Sequence, residues 1–576
     1  MTPARADGLR NSFVIGFLAA LGVATAFVYG TGQAAAADGD EIIVEKINEF
    51  LRRGWDDNEV KPSERTADGE YARRVSLDVA GHIPSFEELM DFLEDDTPDK
   101  RLELVNELLE ESNYIRYWTN IWANTLVGRG NRRTDRDDLE RYLRTSIARN
   151  EPYEKFVYEL ISAEGNSNDN GAVAFLAAHL NDGQIPATSI TSRVFLGLQV
   201  QCTQCHNHPF NDWKQDQFWS MNGFFRGTTR QGAGNANRGE FALYDGPDTR
   251  IVFFEKRNGL MQATPRKFVD GTVVPMTEYD KPREQLAKLV TDPTKPFMAR
   301  TQVNRMWGHF FGYGFTKPLD DMGPHNPPSH PELLDYLAEE FRKSGYDNKR
   351  LIRWICASDA YQFSSRAHEG NEQDDPAVGN TPLFSRMYVK PFSSEQLYDS
   401  LLISTQADKA SGRSYEQAEQ QRQQWLGQFV RTFGTDENDE NTTFNGTIPQ
   451  ALVMMNGSLT KTAINGAEGG FLRRVLESPT GDPRSKAAGT KKPARTAAKT
   501  VASKSPGKPG RGKSAAKGIP AKIETLFLVT LARTPTDKEL NAFNNVFQKS
   551  GASDPILGLQ DIFWALLNSN EFIMNH

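Results

Sequence analysis

Helical periodicity runs through nearly the whole chain and leaves room for little but a mainly α architecture. Between Glu41 and Phe225 apolar residues recur at three- and four-residue intervals. The stripes are Ile43, Ile47, Phe50 and Leu51; then Phe86, Leu89, Met90 and Leu93; then Leu102, Val105, Leu108 and Leu109. Trp118, Ile121, Trp122 and Leu126 follow, then Phe156, Val157, Leu160 and Ile161 behind Pro152. That spacing places each set on one helix face, which must find a core. Ser85 with Glu88 forms a capping box at one helix start, and Thr536 with Glu539 forms another. The same period returns at Arg283 and predicts helices over 297–311, 331–343, 349–358 and 394–405. It returns once more beyond Ile523, where Ile556, Leu559, Phe563, Leu566 and Leu567 share a face. The tryptophans of the earlier helices read as core residues. A chain of 576 residues is long enough for two or three such cores.

The period breaks in two places. Over 227–280, short β-branched or aromatic runs (240–244, 250–255 and 267–274) alternate with turn residues and predict a small β-rich insert. GTTRQGAGNANRG at its start reads as a flexible glycine-rich loop. No apolar strand leads into it, so it is not a phosphate cradle. Over 484–517 the chain turns to Lys, Ala, Gly, Ser and Pro, with eleven basic and no acidic residues. The formal charge of −8 therefore leaves −8 − 11 = −19 on the rest. A segment of that composition cannot bury a core and is expected to be a disordered basic linker, able to touch an anionic surface.

Arg5 and Arg10 precede an apolar run from Phe13 to Tyr29 and then GQAAAADGD, the pattern of a secretory signal cleaved after Ala36 or Ala37. The run is nearly long enough to span a bilayer, so an uncleaved N-terminal anchor is the alternative. The expected organisation is a signal over 1–37, a first helical domain over 41–226 and the β-rich insert over 227–280. A second helical domain over 281–481, the linker over 482–520 and C-terminal helices over 521–576 that fold back on the second domain complete it.

Chemistry concentrates in QCTQCHNHPFNDW. Cys202, Cys205 and His206 spell C-x-x-C-H, the attachment pattern of a c-type haem: two thiols form thioethers to the vinyl groups, and the adjacent imidazole ligates the iron. Two other readings fit the same residues. One is a zinc site of Cys202, Cys205, His206 and His208, with Asp212 near or acting as a helix cap, whose open position could activate water for hydrolysis. The other is a small disulfide in a structural site of a non-catalytic secreted scaffold or binding protein. With haem, a ligand on the opposite face is sought first in His330, then in His325, Met322 or Met221. Cys356 sits on an apolar helical pattern and reads as an inert buried thiol. No Ser-His-Asp arrangement, phosphate loop or specific nucleic-acid motif stands out.

Several stretches resemble a family of exported bacterial proteins abundant in planctomycetes. Its members carry two adjoining domains of unknown function, numbered fifteen-forty-nine and fifteen-fifty-three, often beside a planctomycete-type cytochrome c domain. The first domain resembles VSLDVAGHIPSFEELMDFLEDDTPDKRLELVNELLE and SRVFLGLQVQCTQCHNHPFNDWKQDQFWSMNGFF. The second resembles FMARTQVNRMWGHFFGYGF, NPPSHPELLDYLAEEF, IPQALVMMNG and LFLVTLARTPTDKEL with NSNEF. The resemblance implies a haem-linked, electron-transfer role by association, with a redox partner or cytochrome, and no established activity. No separate cytochrome domain is read in these residues, so a redox role rests on the C-x-x-C-H or on a partner. Export implies a periplasmic or extracellular location.

Overall fold

The computed structural model describes residues 39–128, 133–209, 211–232, 240–246, 251–274, 281–406, 470–486, 518–551 and 554–576, with a few isolated positions between 417 and 466. The N-terminal signal expected over 1–37 and most of the basic stretch over 482–520 lie outside these residues. Helices dominate, with three small sheets among them.

The first region is a run of helices: α1, described from 39 to 57, α2 (Asp68–Val79), α3 (Phe86–Glu94), α4 (Lys100–Leu109), α5 (Ser112–Val127), α6 (Arg133–Ala148) and α7 (Tyr153–Ser162). The short α8 (Val173–Ala177) leads to α9 (Asn181–Leu196) and α10 (Gln215–Asn222). α3 starts where the sequence placed it, with the Ser85 hydroxyl and the Glu88 carboxylate each bonded to the other's backbone N–H. After the insert come α11 (Pro282–Val290), α12 (Phe297–Phe311), α13 (Pro331–Lys343), α14 (Asn348–Ala357) and α15 (Ser394–Thr405).

One continuous core joins the two helical regions. Val75, Trp118, Leu143, Phe175 and Phe195 from the first meet Trp307, Phe310, Trp354 and Ile355 from the second. Trp307 is fully buried, its ring 4.5 Å from Phe311 and 4.7 Å from Phe315. Emptying such a site costs about 3–5 kcal/mol. Cys356 is fully buried on α14, and burial pushes its thiol well above the usual range, as expected of an inert core residue.

The C-terminal helices Ile519–Leu531, Asp537–Ser550 and Pro555–Leu567 form a second core with Phe471–Glu477 and α15. Leu77, Ile83 and Phe86 from the first region complete it. Fully buried charges fasten this tail to α2. Arg73 donates to the carbonyls of Thr530 and Phe572, both at 2.7 Å, and Arg74 to those of Tyr361 at 2.6 Å and His576 at 3.1 Å. Asp78 receives Lys390 Nζ at 2.7 Å, Tyr361 Oη at 2.8 Å and Asn575 Nδ2 at 2.8 Å. Each buried charge thus finds the partners that make its burial tolerable. Among the described residues no helix is long and apolar enough to cross a membrane.

The insert holds two pieces of sheet. β2 (Thr228–Gly232) pairs antiparallel with β3 (Phe241–Asp245), whose other edge takes the two-residue β1 (Gly165–Asn166). Thr228–Gly232 is therefore a strand and not the start of a flexible loop, because β3 supplies it a full ladder of partners. β4 (Ile251–Glu255) and β5 (Met261–Pro265) form a hairpin. The strand expected over 267–274 reduces to a single bridge, Lys267 to Val273, and pairing falls on Met261–Pro265 instead. Over 366–380 the chain forms a largely exposed loop with a buried anchor. Asp374 is fully buried and accepts from Ser385 N and Oγ, Leu383 N and Tyr388 Oη.

Candidate functional site

α9 delivers the C-x-x-C-H motif and stops just before it. Gly197 takes the left-handed conformation at φ 65° and its N–H reaches back to the Arg193 carbonyl. A side chain there would start 2.8 Å from Thr301 Oγ1 and 2.9 Å from Met322 Sδ, so the site demands glycine on two counts. The chain then turns through a 3-10 helix, Gln201–Gln204, with Cys205 as its C-cap.

That tight turn arranges the motif. Cys202 lies within that turn and Cys205 closes it, and both are exposed. Between them Thr203 is fully buried, its N–H and Oγ1 both bonded to the Val200 carbonyl at 2.9 and 2.6 Å. With Thr203 anchored inward, Cys202, Cys205 and His206 face solvent, and both thiols are free. His206 Nδ1 lies 2.6 Å from the Asn207 carbonyl. A carbonyl only accepts, so Nδ1 donates this bond.

α10 holds the motif from behind. The Gln204 carbonyl accepts from Trp219 Nε1 at 3.0 Å and Gln215 Nε2 at 3.2 Å. Asn207 Oδ1 accepts from Gln215 N at 3.0 Å, so the motif's own asparagine caps the helix that supports it. Asp212 does not serve as that cap: it is exposed, and the helix begins at Gln215. Sequence reasoning passed over Asn207, Gln215 and Trp219. The offset of eight residues from Asn207 to Gln215 is the one local signal that could have pointed to them.

A loop from the second region closes on the same place. Met322 N–H donates to the Gly197 carbonyl at 2.7 Å. The rings of His208 and His325 lie 6.3 Å apart, and His325 Nε2 is 2.9 Å from Asp321 Oδ2. Met322 and His325 are thereby brought to the motif's surroundings. Met221 is buried in the main core.

His330 has other company. Its ring packs 6.2 Å from Phe315 and 5.4 Å from Phe384, beside Ser329, and Nε2 faces Gly54 of α1. Burial holds its pKa down to about 4. These neighbours satisfy a core histidine at a helix start, and none comes from the motif.

Among the described residues no three His, Cys, Asp or Glu side chains converge closely enough to hold a metal ion. Cys202, Cys205, His206 and His208 therefore do not form a preassembled zinc cage. The donor set does fit covalent haem, whose attachment uses two accessible thiols and an adjacent imidazole.

Two family models match in tandem. Residues 46–230 match PSCyt2, a protein of unknown function (DUF1549), and residues 282–547 match PSD1, a protein of unknown function (DUF1553). The motif lies inside the first, and the loop carrying Met322 and His325 inside the second. No curated protein and no solved structure matches the chain. The contact between motif and loop is thus a contact between the two matched regions, and the chain belongs to the family that joins these paired domains of unknown function.

Proposed function

We propose that Cys202, Cys205 and His206 carry a covalently attached haem c, and that the protein serves electron transfer outside the cytoplasm. The observation that carries this reading is the pair of free, exposed thiols on a 3-10 turn and its C-cap, followed at once by an exposed imidazole held through Nδ1. Bound there, the group would supply a one-electron iron centre. The chain's own residues would do the rest. Thr203 holds the turn to the core, the Asn207 carbonyl fixes the His206 tautomer, and Trp219 with Gln215 restrains Gln204. Met322 and His325 would be favoured over His330 as further residues to hold the group, because their loop touches the motif's supports. The apolar run from Phe13 to Tyr29 supports export, with or without a retained anchor, and covalent attachment needs that compartment. The basic residues over 484–517 would act as a tether able to lie on an anionic surface.

The test is expression with a cytochrome c maturation system. A haem stain that survives denaturing electrophoresis and a one-haem mass increment are expected. Cys202→Ser with Cys205→Ser should abolish both, while His206→Ala should retain attachment and change the visible spectrum. Matured, exported protein carrying stoichiometric zinc and no haem mass would overturn the reading.

A further inference from the structure

The β4–β5 hairpin turns two different faces outward and inward. Inward, Phe254 stacks on Trp219 at 5.9 Å and 12°, and Thr264 Oγ1 meets Ser220 Oγ at 2.7 Å. Gln215 Nε2 bonds the Glu255 carbonyl at 2.9 Å with the same amide that reaches Gln204. The hairpin is thus braced on the helix that holds the motif, through the same two side chains. Outward, strand alternation puts Ile251, Phe253 and Glu255 across from Pro265, Ala263 and Met261. Phe253 is 61% exposed, Ile251 46%, and Met261 and the adjacent Leu260 each 63%. Apolar side chains gathered like this on a soluble face mark a contact surface more often than chance.

We propose that this face docks the protein's electron-exchange partner, a protein with an apolar contact patch rimmed by carboxylates. The inference rests on the haem reading above. Two observations choose the occupant. The hairpin over 251–265 carries Lys256 and Arg257 against a single carboxylate, Glu255, in a chain of net charge −8. Lys256 and Arg257 are both exposed and form no ion pair among the described residues, so they are accessible to acidic groups on a partner. The same polar turn, Lys256 to Gly259, argues against lipid. A hairpin entering a bilayer tip-first would have to bury that turn, at a cost its neighbouring apolar residues do not offset. An apolar centre with a charged rim, small and close to the redox group, is the design of a transient electron-transfer contact. Charged rims of this kind set encounter rate more than affinity.

The experiment uses the matured full chain, its haem first verified by mass. Stopped-flow reduction is followed with an acidic [2Fe–2S] ferredoxin as protein donor and with dithionite as small-molecule donor. Phe253→Ser with Met261→Ser should lower the ferredoxin-to-dithionite rate ratio at least tenfold. Lys256→Glu with Arg257→Glu should lower it comparably at low salt, with the difference fading as ionic strength rises. These side chains are exposed, so the variants should fold, and a matching circular dichroism spectrum checks it. Ratios unchanged in both variants overturn the docking face while leaving the haem reading intact. So does a wild-type dimer that Phe253→Ser with Met261→Ser dissolves, or flotation of the protein with anionic vesicles through this face. Absence of haem from matured protein overturns the underlying reading and this inference with it.

Discussion

Replacing Asp78 by Asn keeps the side chain's size while removing the carboxylate that faces Lys390. In the parent, Lys390 Nζ sits 2.7 Å from Asp78, 2.6 Å from the His309 carbonyl and 2.8 Å from that of Phe310. Burial lowers the lysine's pKa, and Asp78 is the main influence that opposes this. An Asn can still accept from Lys390 and Asn575, and its amide can donate to Tyr361 Oη, so the loss is chiefly one of charge. Breaking a buried pair by removing one charge costs about 3–5 kcal/mol. The two carbonyls that remain around the ammonium place the expected loss near the lower end, about 3 kcal/mol. The variant's pH dependence carries the diagnosis. With its folded pKa depressed further below the unfolded value, Lys390 binds fewer protons folded than unfolded in between. Stability therefore rises with pH there: the deficit is full near neutrality and shrinks as pH climbs toward the usual lysine range. Urea unfolding, followed by tryptophan fluorescence at steps from neutral pH to mildly alkaline, measures both quantities. A variant as stable as the parent at neutrality, or a deficit that stays constant with pH, would refute the electrostatic account.

Acid should destabilise the parent through His309 and His330, both held neutral by burial with pKa values pushed down to about 4. Their contribution is present above the ordinary histidine value and is lost as pH falls from there toward 4, at about 1.4 kcal/mol per unit and group. Urea midpoints at neutral pH and near pH 4.5 should differ, and His330→Gln should flatten that difference. At the motif, Gly197→Ala should cost about 1–2 kcal/mol from the left-handed backbone alone. It should also displace Met322, seen as faster hydrogen exchange at the Met322 amide; an unchanged exchange rate would refute the packing argument.

Much of the fold is written in local signals. The capping boxes at Ser85 and Thr536 form as read, and the helices Phe297–Phe311, Pro331–Lys343 and Ser394–Thr405 run between the expected residues. Each depends on side chains three or four positions apart. What escaped depends on partners far along the chain. Thr228–Gly232 looks like a glycine-rich loop until β3 lies beside it, and Arg73, Arg74 and Asp78 look solvated until the tail covers them. The same limit applies to the site. The spacing of Cys202, Cys205 and His206 is visible at once, whereas the approach of Met322 and His325 depends on how α9 and α12 pack. His330 stands out in the sequence because it lies within the family-like stretch NPPSHPELLDYLAEEF, at the helix start read there, whereas its aromatic nest depends on Phe315 and Phe384.

The stitching of α2 to residues near 570 has a consequence for how the polypeptide is made. A ribosome releases residues 68–79 long before it has joined residues 571–576. Until those arrive, two guanidinium groups and a carboxylate destined for the interior lack several of their acceptors and donors. A nascent first region cannot close over them without heavy desolvation cost, so it should stay open while synthesis proceeds. Most domains condense in order of emergence. This one is wired to wait, and α2 becomes native only once the residues near 570 have been added.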